Sequence, residues 1–267
     1  MVFPLTQESI MNAPSHNDIV DSQFSPQAHA YLTSAVHASG ADLERMASLV
    51  GLRPEAVALD MGCGGGHATF HLAPLVGKVV ACDLSEPMLR VVAGEADRRG
   101  FGNVVTKRSA AESLPCPSAS FDVAVTRYSA HHWRDVPAGL AQMRRALKPG
   151  GMAIFMDVVT PGMPLLDTWL QSLELLRDPS HVRNASLDEW RTALAAAGFA
   201  VGEVTTFRLR LEFASWVERM KTPEAHVAAI RSLQRRAGTE VREYFAIEED
   251  GSFTVDTMLI VGHAENR

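Results

Sequence analysis

The sequence predicts an α/β fold, because a buried parallel strand, a glycine-rich turn and a helix follow one another. Residues 56–59 are apolar without alternation, as in a strand that is covered on both faces of a sheet. The turn that follows is rich in glycine, which lets the backbone bend sharply and approach a ligand closely. A second apolar run, residues 79–82, ends in Asp83, where a βαβ unit can hold the ribose of a nucleoside.

The composition of the turn narrows the class of ligand. Glycines stand at positions 62, 64 and 66, and Asp60 lies two residues before the first of them. A dinucleotide fingerprint would need a third glycine where this chain has His67. The turn instead resembles the S-adenosylmethionine (SAM) loop of the class I methyltransferases, in which the acidic residue faces the methionine end of the cofactor. SAM is cationic and has no phosphate, so the Asp60 carboxylate attracts SAM and would repel a pyrophosphate.

Further segments match the same family in order, and they resemble most closely its ubiquinone/menaquinone-type and small-molecule members. After Asp83, Ser85 is a typical N-cap for the next helix. The later matches are a third strand over 104–108, the adenine segment over 111–115, a fourth strand over 121–125 and the turn 147–151 before a fifth strand. The resemblance implies a Rossmann-like, seven-stranded, mostly parallel sheet with an antiparallel last strand. It also implies helices on both faces, a helical N-terminal cap and insertions.

The elements beyond the fifth strand are predicted from capping and alternation. Ser186 and Glu189 have the spacing of a capping box at the start of a helix. The predicted helices cover 165–176, 186–198 and 223–236, and the predicted strands cover 201–213 and 252–261. The last two strands would form the hairpin that ends the sheet in this family, with helices inserted between them.

The chain is expected to consist of a flexible N-terminus, residues 1–25, and one methyltransferase domain, residues 26–267. The N-terminal residues are polar and rich in Asn, Ser, Pro and Asp. The expected parts of the domain are cap helices over 26–54, broken near Gly40, a SAM-binding core over 55–160, and substrate-side elements over 161–200 and 213–250.

The resemblance also implies which residues hold SAM and release S-adenosyl-L-homocysteine (SAH). Asp83 is expected to accept the ribose hydroxyls. Ala110 stands where the family often has an adenine-binding side chain, so adenine recognition is expected from Ala111 and Glu112. The expected cofactor-binding residues are Tyr31, Asp60, Gly62, Cys63, Gly64, Gly66, Asp83, Leu84, Met88, Ala111, Glu112 and Arg127.

The segment after the fourth strand carries the candidate catalytic residues, His131 and His132. It follows a strand's carboxyl end, where an acceptor would meet the methyl group. The histidines can supply a base near neutral pH, and Tyr128 and Trp133 can supply flat apolar walls for a substrate. Because His131 and His132 are adjacent, we expect them to face different ways and at most one to be catalytic. Each could equally be a structural histidine bonded to a neighbouring loop.

A second candidate substrate site is the pair His181 and Arg183, in a turn-rich segment expected above the active site. Arg183 could bind a carboxylate or a ring oxygen through two hydrogen bonds. The alternative is an ion pair with Asp178 that merely joins loops. We expect no metal site, because the histidine loop lacks soft ligands and a suitably spaced carboxylate pair.

Composition excludes several other classes of function. The net charge of −6 disfavours nucleic-acid binding, and no apolar run approaches the length of a membrane span. Three scattered cysteines form neither a disulfide framework nor the thiol cluster of an arsenite methyltransferase. The first residues lack the pattern of a signal peptide, so the cytoplasm is the expected location. Met11 is an alternative start of the chain.

We therefore expect a SAM-dependent enzyme that methylates an O, N or C atom of a small organic molecule by in-line displacement. One alternative is a SAM-binding regulatory protein without transferase activity. Another is a nicotinamide oxidoreductase on a similar sheet, which His67 in the turn disfavours. The family uses one scaffold for many acceptors, so the resemblance does not choose among them.

Overall fold

The computed structural model describes residues 13–33 and 40–265. Expectations that fall on residues 1–12, 34–39 and 266–267, among them a start at Met11, lie outside the described residues. No described helix is long and apolar enough to cross a bilayer.

The described residues contain one seven-stranded sheet. Its strands are β1 (Arg53–Met61), β2 (Val76–Asp83), β3 (Val104–Arg108), β4 (Phe121–Arg127), β5 (Leu147–Val159), β6 (Phe199–Leu211) and β7 (Phe253–Ala264). Their order across the sheet is β3-β2-β1-β4-β5-β7-β6. The first five strands are parallel, and β7 runs antiparallel to both of its neighbours. The predicted Rossmann-like sheet with an antiparallel last strand is confirmed.

Helices precede and connect the strands. They are α1 (His16–Phe24), α2 (Ala28–Thr33), α3 (Ala41–Val50), α4 (His67–Leu72), α5 (Glu86–Arg98), α6 (Val136–Ala146), α7 (Pro164–Arg177), α8 (Leu187–Ala196), α9 (Phe213–Arg219), α10 (Glu224–Arg235) and α11 (Thr239–Tyr244). Short 3-10 turns lie at Ser25–Gln27 and Ala130–His132. The predicted caps are present, since Ser85 accepts from the Met88 N–H and Ser186 forms a capping box with Glu189.

Helices cover both faces of β1, which explains why the apolar run over residues 56–59 is unbroken. Ala58 packs into a cluster with α3 and α4, whereas Leu59 and Met61 pack into a cluster with α6 and α8. All three residues are almost completely buried. Both faces of the central strands are therefore covered, and ligands can reach the sheet only at the ends of its strands.

A third apolar cluster builds the substrate side of the molecule. The helices α9, α10 and α11, inserted between β6 and β7, pack with α7 around Trp169, Trp216 and Phe253. The Trp169 and Phe245 rings stack with their centroids 4.6 Å apart. This cluster holds α7 and α9 beside the carboxyl end of β5.

The N-terminal segment differs from the expectation of a flexible residue range 1–25, because residues 16–24 form α1. Ser15 and Asp18 form a capping box at its start. Gln23 donates to the Met220 carbonyl at 2.9 Å, and His16 Nε2 donates to the His132 carbonyl at 2.9 Å. The polar composition was misleading because these polar groups bond to the protein main chain instead of water.

The aromatic contact between β5, β6 and α8 generates a stability prediction. Phe155 is fully buried, with ring centroids 5.5 Å from Phe199 and 5.8 Å from Trp190. We expect Phe155→Ala to lower the free energy of unfolding by about 3–5 kcal/mol, because it removes a packed ring and leaves a cavity. Urea titration would measure this. The control Leu52→Ala, at a side chain that is 75% exposed, should change it by less than about 0.5 kcal/mol. Equal losses in the two variants would contradict this account of the core.

Candidate active site

Two adjoining cavities lie at the carboxyl ends of the parallel strands. The first, here the glycine-loop cavity, comprises about 1060 Å³, including space open to solvent, against the turn after β1. The second, here the histidine cavity, comprises about 630 Å³ on the same measure, beside the turn after β4. Phe24, Tyr31, Tyr128 and His132 line both cavities. A molecule in one cavity therefore lies next to a molecule in the other.

The backbone of the turn after β1 borders the first cavity. Gly62 and Gly64 have φ angles of +74° and +49°, which side chains rarely adopt. A Cβ at Gly64 would meet nothing within 4 Å, whereas a Cβ at Gly62 would lie 2.0 Å from Ser129 Oγ. Glycine at position 64 keeps open space for a ligand, and glycine at position 62 lets the turn pack against the loop after β4.

Gly66 was expected to contact the cofactor, but the structure gives it a packing role. It is the N-cap of α4 with a φ of +83°, and it does not line the cavity. A Cβ at this position would lie 2.9 Å from both Phe70 and Val92. Glycine is therefore needed at position 66 because the Phe70 and Val92 side chains, from α4 and α5, occupy the space of a Cβ.

Asp60, the second-last residue of β1, is a buried carboxylate with one oxygen that lacks a hydrogen-bond partner among the described residues. Its Oδ2 accepts from Thr69 Oγ1 at 2.6 Å, whereas its Oδ1 is buried without a hydrogen-bond partner in the described residues. Burial raises the pKa of Asp60 to about 6. A cation near Oδ1 would stabilise the ionised form. The unpartnered Oδ1 can accept a hydrogen bond, which fits the ammonium group of SAM.

Asp83 connects the glycine turn to the end of β2. Its Oδ2 accepts from the Gly64 N–H at 2.8 Å and its Oδ1 accepts from the Ser85 N–H at 2.9 Å. Burial raises the pKa of this carboxyl. Each carboxylate oxygen can accept a further bond, so Asp83 can hold the turn and still bind ribose hydroxyls from its position on the cavity wall.

The remaining residues expected to bind cofactor reach the wall of the glycine-loop cavity. Arg127 is held there by a buried ion pair, with Nε 2.5 Å from Asp42 Oδ2. Glu112 accepts from the Asp135 N–H at 3.2 Å. The others on this wall are Tyr31, Cys63, Leu84, Met88 and Ala111.

Sequence reasoning missed several residues of this wall. They are Asn17, Val20, Asp21 and Phe24 of the N-terminal helix, together with His67, Ser109 and Ser129. His67 Nε2 donates to the Tyr31 carbonyl at 2.8 Å, which joins α2 to the first residue of α4. The spacing of Ser15 and Asp18, a capping pattern, was the one signal in the sequence that could have located α1.

His131 is paired with a buried carboxylate. Its Nδ1 lies 2.5 Å from Asp157 Oδ1 on β5. Burial lowers the pKa of His131, but the carboxylates of Asp157, Glu174 and Asp178 together raise it by more, so the pKa lies above the ordinary histidine value. Because Nδ1 is bound to Asp157, the ring nitrogen left for a ligand is Nε2.

The expectation that His131 and His132 face different ways is corrected, since both line the histidine cavity. They lie in a 3-10 turn, where successive side chains are rotated by about 120° and not alternated as in a strand. Their ring centroids are 4.2 Å apart. Burial and then the charge of His131 lower the pKa of His132 to about 4. His132 is therefore neutral near pH 7.

His181 and Arg183, predicted to form a second substrate site, lie in different environments. His181 lies behind His131, where its Nε2 contacts Gln171 Oε1 at 2.8 Å, and burial lowers its pKa to about 2. Arg183 lines neither cavity, and it pairs on the surface with Asp167 and Glu189 at 3.1 and 3.0 Å. Neither the expected substrate contact nor an ion pair with Asp178 is formed by Arg183.

Two arginines that the sequence analysis did not select line the histidine cavity. They are Arg177 at the end of α7 and Arg219 at the end of α9. Trp133, expected on the substrate side, instead lines the glycine-loop cavity and donates to Ser129 Oγ at 3.1 Å. Tyr128 lies between the cavities, and burial raises its pKa to about 12. In the described part of the chain, no three His, Cys, Asp or Glu side chains are arranged to hold a metal ion.

Comparisons with known proteins agree with this geometry. The family profile described as "Methyltransferase domain" matches residues 59–155. YafE, an uncharacterised protein of Escherichia coli K12, is 51% identical over 202 residues, which cover 76% of this chain and 98% of YafE. YcgJ of Bacillus subtilis, named an uncharacterised methyltransferase, is 34% identical over 247 residues, or 91% of this chain and 98% of YcgJ.

Solved structures show the same fold. The crystal structure of YcgJ superposes with a TM-score of 0.81 at 33% identity, covering 85% of this chain and 99% of that one. A putative methyltransferase from Bacillus halodurans, BH2331, gives a TM-score of 0.82 at 28% identity, with 85% and 100% covered. The glycine turn, the sheet and the extent of the match to YcgJ lead to one conclusion: the chain belongs to the methyltransferase family and is a SAM-dependent methyltransferase of class I fold.

Proposed function

We propose that the enzyme methylates a small organic molecule that binds in the histidine cavity, at an oxygen, nitrogen or carbon atom. The shared wall of the two cavities carries this proposal, because an acceptor in the second cavity would face a cofactor in the first. The wall of this cavity combines apolar side chains with a few charged and polar groups, as small-molecule sites usually do. A regulatory SAM-binding protein would have no need of this second cavity.

The residues of the glycine-loop cavity suit SAM. Asp60 Oδ1 would bind the ammonium group, and Asp83 would bind the ribose hydroxyls. When bound there, SAM supplies a methyl group already activated on a sulfonium.

The main task of the chain is then to align the acceptor and exclude water. Phe24 and Tyr31 stand between the cavities with ring centroids 5.5 Å apart, and Phe24 packs edge-on against His132 at 4.9 Å. These rings would cover the reacting groups on the side of α1 and α2. Tyr128, held in a left-handed conformation with a φ of +49°, would form the opposite wall.

We further propose that His131 Nε2 takes the proton of a hydroxyl or protonated nitrogen on the acceptor. Asp157 would hold the ring by its Nδ1–H and stabilise the protonated imidazole that results. His132 would position the acceptor, since its Nδ1 is engaged by the Ser180 carbonyl at 3.1 Å.

The glycine turn offers a test of the cofactor site with a matched control. We expect Gly64→Val to abolish SAM binding in calorimetry, because the branched side chain would fill the cavity. Gly100→Val is the control, since Gly100 has a similar positive φ, +75°, and open space around its Cβ but lies in an exposed turn outside both cavities. The control tests for backbone strain alone. Normal SAM binding by folded Gly64→Val would remove this turn from the site.

A screen with labelled SAM tests the proposed acceptor class. We expect the label to appear in a compound from a small-molecule library when the wild-type enzyme is present. Recovery of the label only in protein or nucleic-acid fractions of a cell extract would overturn the small-molecule assignment.

Replacing the histidines tests their proposed roles, with an acceptor found in that screen. We expect His131→Ala to lower kcat about 10²–10⁴-fold with little change in SAM affinity. His132→Ala should chiefly raise KM for the acceptor. His263→Ala, an exposed histidine at the far end of β7, is the control.

The pH profile separates a base from a positioning residue. The titratable or charged groups that surround His131 are Asp157, His132, His181, Glu174 and Asp178. Because a base acts in its neutral form, wild-type kcat should rise with pH through a pKa above the ordinary histidine value. His131→Ala should lose this rise. An unchanged profile in that variant would assign His131 to positioning only.

A further inference from the structure

We propose that the acceptor is an organic carboxylate with an apolar body, whose carboxylate binds Arg219 in the histidine cavity. This inference rests on the proposed function and specifies its substrate class.

Arg219 reaches the cavity wall without a partner of its own. It forms no hydrogen bond and no ion pair in the described ranges, 13–33 and 40–265, and its Nε is buried. Burial, and then the charge of Arg177, lower the pKa of Arg219. Glu174 partly offsets the charge of Arg219 from a distance, but no described carboxylate lies within ion-pair distance of this partly buried guanidinium, so an anion that enters the cavity would be stabilised there.

Arg177, the other arginine on this wall, is already committed. Its Nε donates to the Trp216 carbonyl at 2.9 Å, its guanidinium lies 4.9 Å from the Trp216 ring centroid, and its Nη1 lies 3.6 Å from Glu174 Oε2. This difference identifies Arg219, and not Arg177, as the anion-binding residue.

The acids on the wall limit the charge of the anion. Asp178 Oδ1 accepts from the Ser180 N–H and Oγ at 2.8 and 2.6 Å, and Glu174 lies beside Arg177. Both acids border the cavity, so they would repel a dianion such as a phosphate more strongly than a monoanion. A planar carboxylate also matches the paired N–H groups of a guanidinium.

Five apolar side chains share the cavity wall with the charged groups, the two histidines, Tyr31, Tyr128 and Asn184. The apolar members are Phe24, Val158, Leu209, Leu211 and Trp216. An acceptor with an aliphatic or aromatic body would bury its apolar surface against them, while its carboxylate paired with Arg219.

Matched carboxylates and amides test the inference without knowledge of the natural acceptor. The melting temperature of the SAH-saturated protein would be measured with benzoate, phenylacetate and hexanoate, and with the corresponding amides at equal ionic strength. We expect at least one carboxylate to raise Tm by about 2–4 °C more than its amide. Arg219→Leu should abolish this difference and Arg219→Lys should retain part of it. Arg191→Leu, at an exposed arginine on α8, should leave it unchanged.

Two results would overturn the inference: no carboxylate-specific rise in the wild-type protein, or an equal rise in Arg219→Leu. Methylation of a neutral acceptor with equal kcat/KM by wild type and Arg219→Leu would also overturn it, although the proposed function would stand. Failure of the wild-type protein to bind SAH in calorimetry would instead count against the cofactor site itself. For a carboxylate acceptor, Arg219→Leu should raise KM about 10–100-fold.

Discussion

The hydrogen bond from the Gly64 N–H to Asp83 joins two strands at the place where the sheet opens to ligands. The glycine turn belongs to β1 and the carboxylate ends β2, so this bond fixes the turn relative to the neighbouring strand. The glycines would otherwise leave the turn free to adopt many backbone conformations. The shape of the first cavity therefore depends on a side chain that also borders the ligand, and Asp60 and the cap helices are arranged around that fixed turn.

The second cavity is built from parts that are distant in the chain. The 3-10 turn after β4 supplies its histidines, β5 supplies Asp157, and α7 and α9 supply the arginines. The helices inserted between β6 and β7 bring α9 to α7 by packing around Trp216. The sheet and the turns at its strand ends thus border both cavities, whereas α7 and α9 add the arginines of the histidine cavity.

Most of the fold could be predicted because its signals are local. The apolar run of β1, the positive-φ glycines and the caps at Ser85 and Ser186 each depend on a few neighbouring residues. Asp60 and Asp83 could be placed for the same reason, since each ends a recognisable strand. The sequence could not reveal Arg219, whose proposed role depends on its position on the wall of a cavity formed by the tertiary structure. Arg183 is of a residue type that can bind an anionic substrate, but it forms ion pairs with Asp167 and Glu189 on the surface. The histidine pair was misjudged because the residues that carry it form a tight turn, so their side chains do not alternate.

The N-terminal helix α1 has one consequence for how ligands come and go. It has no fully buried residue, and its contacts with the rest of the molecule include polar bonds from His16 and Gln23 to the main chain. Its residue Phe24 lines both cavities at once. Lifting this helix would break those polar bonds and the ring contacts of Phe24 with Tyr31 and His132, and it would uncover both cavities together. SAH and the methylated product would then leave through the same opening. The turnover rate would therefore depend on how often α1 moves away as well as on the rate of methyl transfer.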